Sequence, residues 1–433
     1  MSDNNSGIKA SKRRQMEARR RRLRRRKRKR AMLLGGMLCT VCLILFSTIY
    51  GISHLLHKHT DTKEAVKTSQ KQTAKSKDTS SSKEKIDTSA VKTQELVINT
   101  DNDSGKKKKK SSSKEPATIT ISSMGDCTLG TDEGFDQSTS FNAYYNEYGA
   151  DYFFKNVRSI LEADDLSVVN FEGTLTEETS RADKTFAFKA PAEYAQILTS
   201  GSVEAVNTAN NHSHDYGEQS YTDTLTALDN AGITHFGYDD TAVMDIKGIK
   251  VGLVGIYELK DHLGREQQLK DNIAKVKADG AELIVVIFHW GNETETVPDT
   301  NQMTLGRLAI DEGADLVCGH HPHVLQGIET YKGKNIVYSL GNFCFGGNSS
   351  PSDMDTMIFQ QTFTVTSEGV QADNVTNIIP CSISSADGYN NYQPTPASGD
   401  EASRIKSKIE ECSAAIPAAD SSSATSEGSD SEE

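Results

Sequence analysis

Short apolar runs alternate with stretches of helical periodicity between residues 118 and 381. Runs rich in β-branched residues predict buried strands, and apolar residues three or four apart predict amphipathic helices. The predicted strands are Ala117–Ser122, Leu166–Asn170, Ala205–Thr208, Ile249–Ile256, Leu283–Phe288, Leu316–Val317 and Asn335–Tyr338, and the predicted helices are Phe153–Leu161, Ala192–Leu198, Tyr221–Asn230, Arg265–Lys277 and Thr304–Glu312. This alternation predicts an α/β domain with helices packed on sheet faces.

The pattern changes after Tyr331. The strings KGKNIVYSLGNF and MIFQQTFTVT look like hairpin strands, which predicts a second, partly antiparallel sheet. The region 118–381 is long enough to enclose a sizeable core.

An apolar run of another kind lies near the N-terminus. Ala31–Ile52 has 22 residues without Asp, Glu, Lys or Arg, and a helix of that length, about 33 Å, can cross a bilayer core of about 30 Å. A cleaved signal peptide is the alternative, but the run is longer than usual for one and no clear cleavage site follows. We predict one membrane anchor at residues 31–56, with the basic N-terminus 1–30 in the cytoplasm and everything after it outside the cell.

Charge divides the rest of the chain. Residues 57–117 contain 15 Lys and 9 acidic residues and few apolar ones, which predicts a disordered linker. Residues 118–381 contain 15 basic and 39 acidic residues, a net charge of −24, so we expect no nucleic acid partner. The acidic, Ser-rich tail 382–433 is predicted to be mostly disordered, with one short helix possible around Glu401–Cys412.

Polar and ionisable side chains follow most of the predicted strands. Because parallel strands end at one edge of a sheet, these side chains are expected to converge. The strings are Gly125-Asp126, Asn170-Phe171-Glu172, Asn210-Asn211-His212-Ser213-His214-Asp215, His289-Trp290-Gly291-Asn292-Glu293, Gly319-His320-His321-Pro322-His323 and Ser339-Leu340-Gly341-Asn342. Taken singly, Asp126, His212 or His289 is explained as well by a helix cap or a packed histidine. Together the strings predict a metal site.

Carboxylate, amide and imidazole ligands without a thiolate suit Mn, Zn or Fe, and we predict one or two such divalent ions. The predicted ligands are Asp126, Glu172, Asn211, His289, His321 and His323. Asp126 or Glu172 could bridge two ions, with Asn211, His289 and His321 on one ion and His323 with Asp126 on the other. The predicted catalytic residues are His212, as a proton donor or a donor to the transition state, together with Asp215 and Glu293.

Seven cysteines without a repeated C-x-x-C exclude a disulfide-rich scaffold and a zinc ribbon. Cys127 and Cys318 flank predicted site residues, and a disulfide between them outside the cell remains open. The same holds for Cys344 and Cys381.

Six strings carry a resemblance to a known family: MGDCTLG (124–130), VNFEGTLT (169–176), NTANNHSHDYG (207–217), FHWGNE (288–293), GADLVCGHHPHVLQGIE (313–329) and YSLGNFCF (338–345). They resemble, in the same order, the bacterial capsule-synthesis CapA family, also called PgsA, of poly-γ-glutamate systems. The resemblance implies a calcineurin-like metallophosphoesterase fold over 118–381, a four-layer α/β/β/α sandwich. It also implies that the partners are a cell-surface anionic polymer similar to poly-γ-glutamate, membrane synthase or export subunits, and the lipid bilayer through residues 31–56.

The resemblance carries over residue by residue, with departures. Asp126 matches the first Asp of the phosphoesterase pattern, Glu172 stands in place of the bridging Asp, and Asn211-His212 matches the Asn-His pair. His289 matches the lone metal-binding His, and His321 with His323 matches the final His-x-His. However, the first motif reads Asp126-Cys127-Thr128 instead of D-x-H, which is one ligand short, and Asn210 replaces a Gly.

Two functions remain open from the sequence. The first is a metal-dependent hydrolase or transferase that acts outside the membrane on an amide or phosphoester of a surface polymer. The second is a non-catalytic accessory subunit that binds nascent polymer or the synthase. The convergent strand ends favour the first, and the missing D-x-H histidine favours the second.

Overall fold

The computed structural model describes residues 115–419, in which the strands form two mixed sheets and one short strand pair. The first sheet contains β1 (Ala117–Thr128), β2 (Leu166–Phe171), β5 (Ala205–Asn207), β6 (Thr234–Phe236), β13 (Asn342–Phe345), β14 (Asp355–Thr366), β15 (Gly369–Val370), β16 (Val375–Ser382) and β17 (Thr395–Pro396). The second contains β7 (Ala242–Ile246), β8 (Ile249–Tyr257), β9 (Leu283–His289), β10 (Leu316–His320), β11 (Ile328–Tyr331) and β12 (Lys334–Val337), and the short pair is β3 (Thr174–Leu175) with β4 (Lys189–Ala190).

Each sheet has parallel strands at its centre. In the first sheet the order is β17-β16-β14-β1-β2-β5-β6, with β1, β2, β5 and β6 parallel and β14 antiparallel to β1. In the second the order is β11-β12-β10-β9-β8-β7, with antiparallel strands at both edges. The predicted α/β class is therefore confirmed. The strings after Tyr331 do form antiparallel pairs, but Lys334–Val337 lies in the second sheet and MIFQQTFTVT forms β14 of the first, so they do not make one sheet together.

The helices are α1 (Phe141–Tyr148), α2 (Arg158–Leu161), α3 (Ala195–Ser200), α4 (Glu218–Ala231), α5 (Glu266–Ala278), α6 (Thr300–Asp311) and α7 (Gly399–Ala414). The helix predicted over Phe153–Leu161 is shorter than expected. Its first residues form turns instead, because these turns direct the side chains of Phe153 and Phe154 into the core, where they are buried.

Three hydrophobic layers show how the sheets and helices stack. Strand β9 illustrates the arrangement: Val285 and Ile287 face the core between the two sheets, whereas Val286 and Phe288 face helices α5 and α6. This is the two-residue period of a strand buried on both faces. A third cluster lies between the first sheet and helices α1 to α4. The observed order of layers is thus helix, sheet, sheet, helix.

The folded region continues past the boundary predicted at 381. Strand β16 crosses that boundary, and helix α7 buries Ile405, Ile409 and Cys412 against the domain. Arg404 adds two hydrogen bonds to Asp355, at 2.7 and 2.6 Å. The short helix predicted around Glu401–Cys412 is therefore present as α7, and the disorder predicted for the rest of the tail is corrected for residues 382–419. Three apolar side chains on one helical face attach the helix to the domain.

Several predictions lie outside the described residues: the basic segment 1–30, the anchor 31–56, the linker up to residue 114 and the tail from residue 420. Within 115–419, no helix combines the length and apolarity needed to cross a membrane.

Helix α7 provides a test of the corrected boundary. We expect Ile405→Ala to lower the free energy of unfolding by about 2–5 kcal/mol, because the side chain is fully buried between α7 and the sheets. Ser407→Ala, on the exposed face of the same helix, should change it little. Urea denaturation of both variants and of the unaltered protein measures the free energy of unfolding. If Ile405→Ala were as stable as Ser407→Ala, helix α7 would not contribute to the stability of the fold.

Candidate metal centre

The ends of the parallel strands from both sheets meet at one edge, and the predicted site residues lie there. Asp126, near the end of β1, is in register with Asn170 on β2 and Asn342 on β13. In the second sheet His289 ends β9 and is in register with His320, which ends β10. Strand pairing therefore positions these residues before any side-chain contact is considered.

Asp126 is fully buried and has four neighbours that can donate hydrogen bonds. Asn170 Nδ2 donates to Oδ1 at 2.8 Å and the His321 backbone N–H donates to Oδ2 at 3.2 Å. The Nδ1 atoms of His320 and His323 lie 3.3 Å from the carboxylate. Burial alone would raise the pKa of Asp126, but hydrogen bonds from these two histidines outweigh it and hold the pKa well below its usual value.

Glu172 is fully buried as well, but its Oε1 atom has no hydrogen-bond partner. The nearest ring nitrogens are Nε2 of His212 at 3.8 Å, Nε2 of His289 at 3.9 Å and Nε2 of His323 at 4.0 Å. Burial raises the pKa of Glu172, with His323 acting in the opposite direction. A buried carboxylate oxygen surrounded by imidazoles beyond hydrogen-bond distance needs a further partner.

The spacing fits a divalent ion. Ligand atoms held at about 2.0–2.2 Å from one ion lie roughly 3–4 Å from each other, and the Glu172 oxygen lies 3.9 and 4.0 Å from the Nε2 atoms of His289 and His323. The carboxylate and imidazole atoms fall into three groups, each lying within 4.8 Å, and these are Glu172 with His289 and His321, Asp126 with Glu172 and His323, and Glu293 with His321 and His323. Glu172 is the only carboxylate among these described residues that belongs to two of the groups, so it would be the ligand shared by two ions if both were bound.

His289 and His321 are suited to be neutral ligands. His289 Nε2 lies 2.7 Å from the Asn211 side-chain oxygen. Burial, reinforced by His321, lowers the pKa of His289 well below its usual value, and burial followed by the charge of His323 lowers the pKa of His321 to about 3. Both imidazoles are therefore neutral at neutral pH, which is the protonation state in which histidine binds a metal.

His323 has a different electrostatic environment. Burial alone would lower its pKa, but Glu172 and Asp126 outweigh this and raise the pKa to about 10. Its Nδ1 contacts the Asn342 side-chain oxygen at 2.9 Å. His321 and His323 both have positive φ values, 93° and 56°, which is costly for residues other than glycine and persists only where the surrounding contacts hold the backbone.

His212 and Asp215 form a hydrogen-bonded pair beside the carboxylates. His212 Nδ1 contacts Asp215 Oδ2 at 2.7 Å, and Asp215 also accepts bonds from the Lys184 ammonium at 2.7 Å and the Phe188 N–H at 2.6 Å. These bonds fix the His212 ring so that Nε2 points toward Glu172. Asp215 thus positions His212 and does not itself reach the centre.

The predicted site residues therefore converge, and each has a distinct place. Glu293 alone is exposed: it lies on the rim near His321 and His323. At the first motif Thr128 donates to Glu172 at 3.5 Å, at the position where the phosphoesterase pattern has a histidine. The metal and catalytic roles of these residues remain predictions.

Two residues support the site in ways that the sequence analysis did not assign to them. Asn170 donates to Asp126 and contacts His289 Nδ1 at 3.2 Å, so it connects the two ligand groups. Its position two residues before Glu172 at the end of a strand was a usable signal. Lys184 lies in a loop without periodicity, and nothing in the sequence links it to Asp215, which is 31 positions away.

The described cysteines, 127, 318, 344, 381 and 412, are all free and buried. Cys127 and Cys318 therefore do not form the disulfide that the sequence left open. Burial raises the pKa of both thiols, which disfavours the thiolate needed for metal ligation.

The layered fold and this site define the class as an α/β domain with a cluster of carboxylates and imidazoles, which could bind a metal, at its strand ends. A family model described as "Bacterial capsule synthesis protein PGA_cap" matches residues 120–347, more than half of the chain. The chain belongs to this family, and the resemblance in the motifs is confirmed.

Relatives agree with this assignment. The capsule biosynthesis protein CapA of Bacillus anthracis is 30% identical over 258 residues, covering 54% of this chain and 61% of the relative. The PGA biosynthesis protein CapA of Bacillus subtilis (strain 168) is 34% identical over 222 residues, covering 46% and 57%. The chain thus matches less than two thirds of either relative.

A crystal structure of a hypothetical protein from Thermus thermophilus is similar with 13% identity and a TM-score of 0.37, covering 60% of this chain and 98% of that one. A likeness this distant adds nothing to the functional argument.

The Asn170 contacts lead to a prediction. We expect Asn170→Ala to lower the affinity for Mn²⁺ by about 10–100-fold, because Asp126 and His289 lose their shared donor. Isothermal titration calorimetry of the variant and of the unaltered protein measures the Mn²⁺ affinity.

Asn335→Ala is the matched control. Asn335 is also a buried amide, but it donates hydrogen bonds to Gln361 and Asn374 and not to residues of the site. If both variants lost the same affinity, the effect would be one of general stability and Asn170 would have no specific role.

Proposed function

We propose that this protein is a membrane-anchored, extracellular component of capsule-polymer synthesis or export that uses a divalent metal centre to hydrolyse or transfer an amide or phosphoester of the polymer. The observation that best supports this proposal is the environment of Glu172. Its carboxylate is fully buried, and its Oε1 atom has no hydrogen-bond partner and lies 3.8–4.0 Å from three imidazole nitrogens. The family and its CapA relatives suggest that this polymer is of the poly-γ-glutamate type.

The layer order and the order of the ligands along the chain support a calcineurin-like metallophosphoesterase fold for the domain. In that arrangement Glu172, Asn211, His289 and His321 would hold one ion, and Asp126, Glu172 and His323 the other. The second set has three protein ligands because Thr128 replaces a histidine. Mn, Zn or Fe suits these donors.

A bound divalent ion would supply an activated water and stabilise developing negative charge. The contribution of the chain itself is better defined. Asp215 and Lys184 hold His212 so that its Nε2 can give a proton to a leaving group or hydrogen-bond the transition state. Glu293, exposed on the rim, is free to accept a proton from an incoming nucleophile.

The alternative is a non-catalytic accessory subunit that binds nascent polymer or the synthase complex. The absent histidine at position 128 favours it. The buried His212–Asp215–Lys184 arrangement favours the enzyme, because polymer binding alone does not require an oriented proton donor inside the site.

Metal content and turnover test this proposal together. We expect the full chain to bind Mn²⁺ or Zn²⁺ and to hydrolyse bis(4-nitrophenyl) phosphate or γ-linked polyglutamate. Asp126→Ala and His323→Ala should each lower the metal affinity and the rate roughly 100-fold or more. Loss of a residue that only hydrogen-bonds a metal ligand typically costs about 10–100-fold, and these substitutions remove a proposed ligand itself.

His235→Ala is the control, since His235 pairs with Asp229 away from the centre. Metal bound without turnover of either substrate would favour the accessory alternative, and a chain that binds no divalent ion would refute the metal centre.

Charge gives a second prediction, on polymer binding. The region 118–381 has a net charge of −24 and repels a polyanion, whereas residues 57–117 carry +6. We expect affinity for polyglutamate to fall with rising salt and on deletion of Thr62–Lys114, measured by co-sedimentation. An affinity that survives the deletion would remove the linker from polymer binding.

A further inference from the structure

Three phenylalanines form a continuous aromatic surface beside the metal centre. The ring centroids of Phe135 and Phe186 are 5.8 Å apart, and those of Phe186 and Phe188 are 6.3 Å apart with nearly parallel planes. Phe188 in turn lies 4.6 Å from the ring of His212. The surface therefore runs from solvent to the predicted proton donor.

This surface forms one wall of a pocket of about 280 Å³. His212 and His323 are at its inner end, and Phe345, with its ring 5.6 Å from that of His323, also lines it. Phe186 remains 47% exposed although it is a large apolar side chain. The volume is close to the lower limit for small-molecule pockets, which is about 300 Å³.

The charges around the pocket restrict what can occupy it. Among the residues that line it there is no Lys or Arg, and the two acidic ones are Glu293 and Asp353. Asp353 is paired with Lys408 at 2.6 Å, and Glu293 lies on the rim close to His323 at the inner end. The outer part of the pocket, which the phenylalanines form, offers apolar contact and no Lys or Arg to pair with a second negative group.

We propose that this aromatic pocket is a substrate subsite for an uncharged, apolar group attached directly to the phosphoryl or acyl group that reacts at the metal centre. The inference rests on the proposed function for the position of the reacting group. It adds that the substrate enters the centre with its apolar side against Phe186 and Phe188, and that charged portions of a polymer stay outside the pocket.

A set of phosphonates tests the subsite. Phenylphosphonate and methylphosphonate carry the same oxyanion and differ only in the apolar group. With the full chain and Mn²⁺, calorimetry should show phenylphosphonate binding about ten-fold more tightly, an advantage that burial of one or two methylene-sized groups provides. 4-Carboxyphenylphosphonate, with an added charge on the ring, should lose most of that advantage.

Phe186→Ser should reduce the phenyl advantage to about two-fold or less. Tyr148→Ser is the matched control, because Tyr148 is a similarly exposed aromatic residue, 51% accessible, on helix α1 outside the pocket. Equal binding of phenylphosphonate and methylphosphonate by the unaltered chain would overturn the subsite.

A metal-free measurement separates this inference from the proposed function. After removal of divalent ions with EDTA, the ¹⁹F resonance of 4-fluorobenzyl alcohol should broaden with the unaltered chain and with Tyr148→Ser, and not with Phe186→Ser. Broadening without any phosphonate binding would count against the metal centre and support the subsite. No broadening with the unaltered chain would overturn the subsite whatever the phosphonates do.

Discussion

The burial of two carboxylates, Asp126 and Glu172, is the constraint on which the rest of this site depends. Removing an ionised carboxylate from water costs several kcal/mol even after the protein relaxes, so each one requires compensating partners. Asp126 has them in the Asn170 amide, the His321 backbone and two histidine rings. Glu172 lacks them on Oε1, and that imbalance is the strongest physical reason to place a cation between it and the surrounding imidazoles.

The need to provide hydrogen bonds to the buried Asp126 also affects the backbone conformation. Strand β1 changes register with β2 between Ser123 and Asp126, which places Asp126 where Asn170 can donate to it. The loop after β10 adopts positive φ at His321 and at His323, and the His321 N–H thereby reaches the Asp126 carboxylate. Strained backbone persists only where surrounding contacts hold it, and here the contacts are those of the buried acid.

Much of this arrangement could be predicted from the sequence, because it depends on local pattern. Apolar runs located the central strands, and polar residues at their ends located the candidate ligands, since parallel strands end at a common edge. The order of the layers came from the family resemblance. Helix α7 was underestimated because only Ile405, Ile409 and Cys412 attach it, too few to alter the composition of an acidic, Ser-rich tail. Lys184 and Phe186 were missed because loop contacts depend on tertiary packing, which leaves no period in the sequence.

Charge finally bears on how a strongly acidic domain could serve an anionic polymer. An accessory protein that simply held such a polymer would be expected to present cations on the folded surface, yet the region 118–381 has more than twice as many acidic as basic residues. Its pocket has an aromatic wall and no lining Lys or Arg. Positive charge would be supplied by the linker along the chain and by bound ions at the centre. An acidic domain with net positive charge only in the linker and at the proposed metal site is better suited to reaction at one bond of the polymer than to binding along its length.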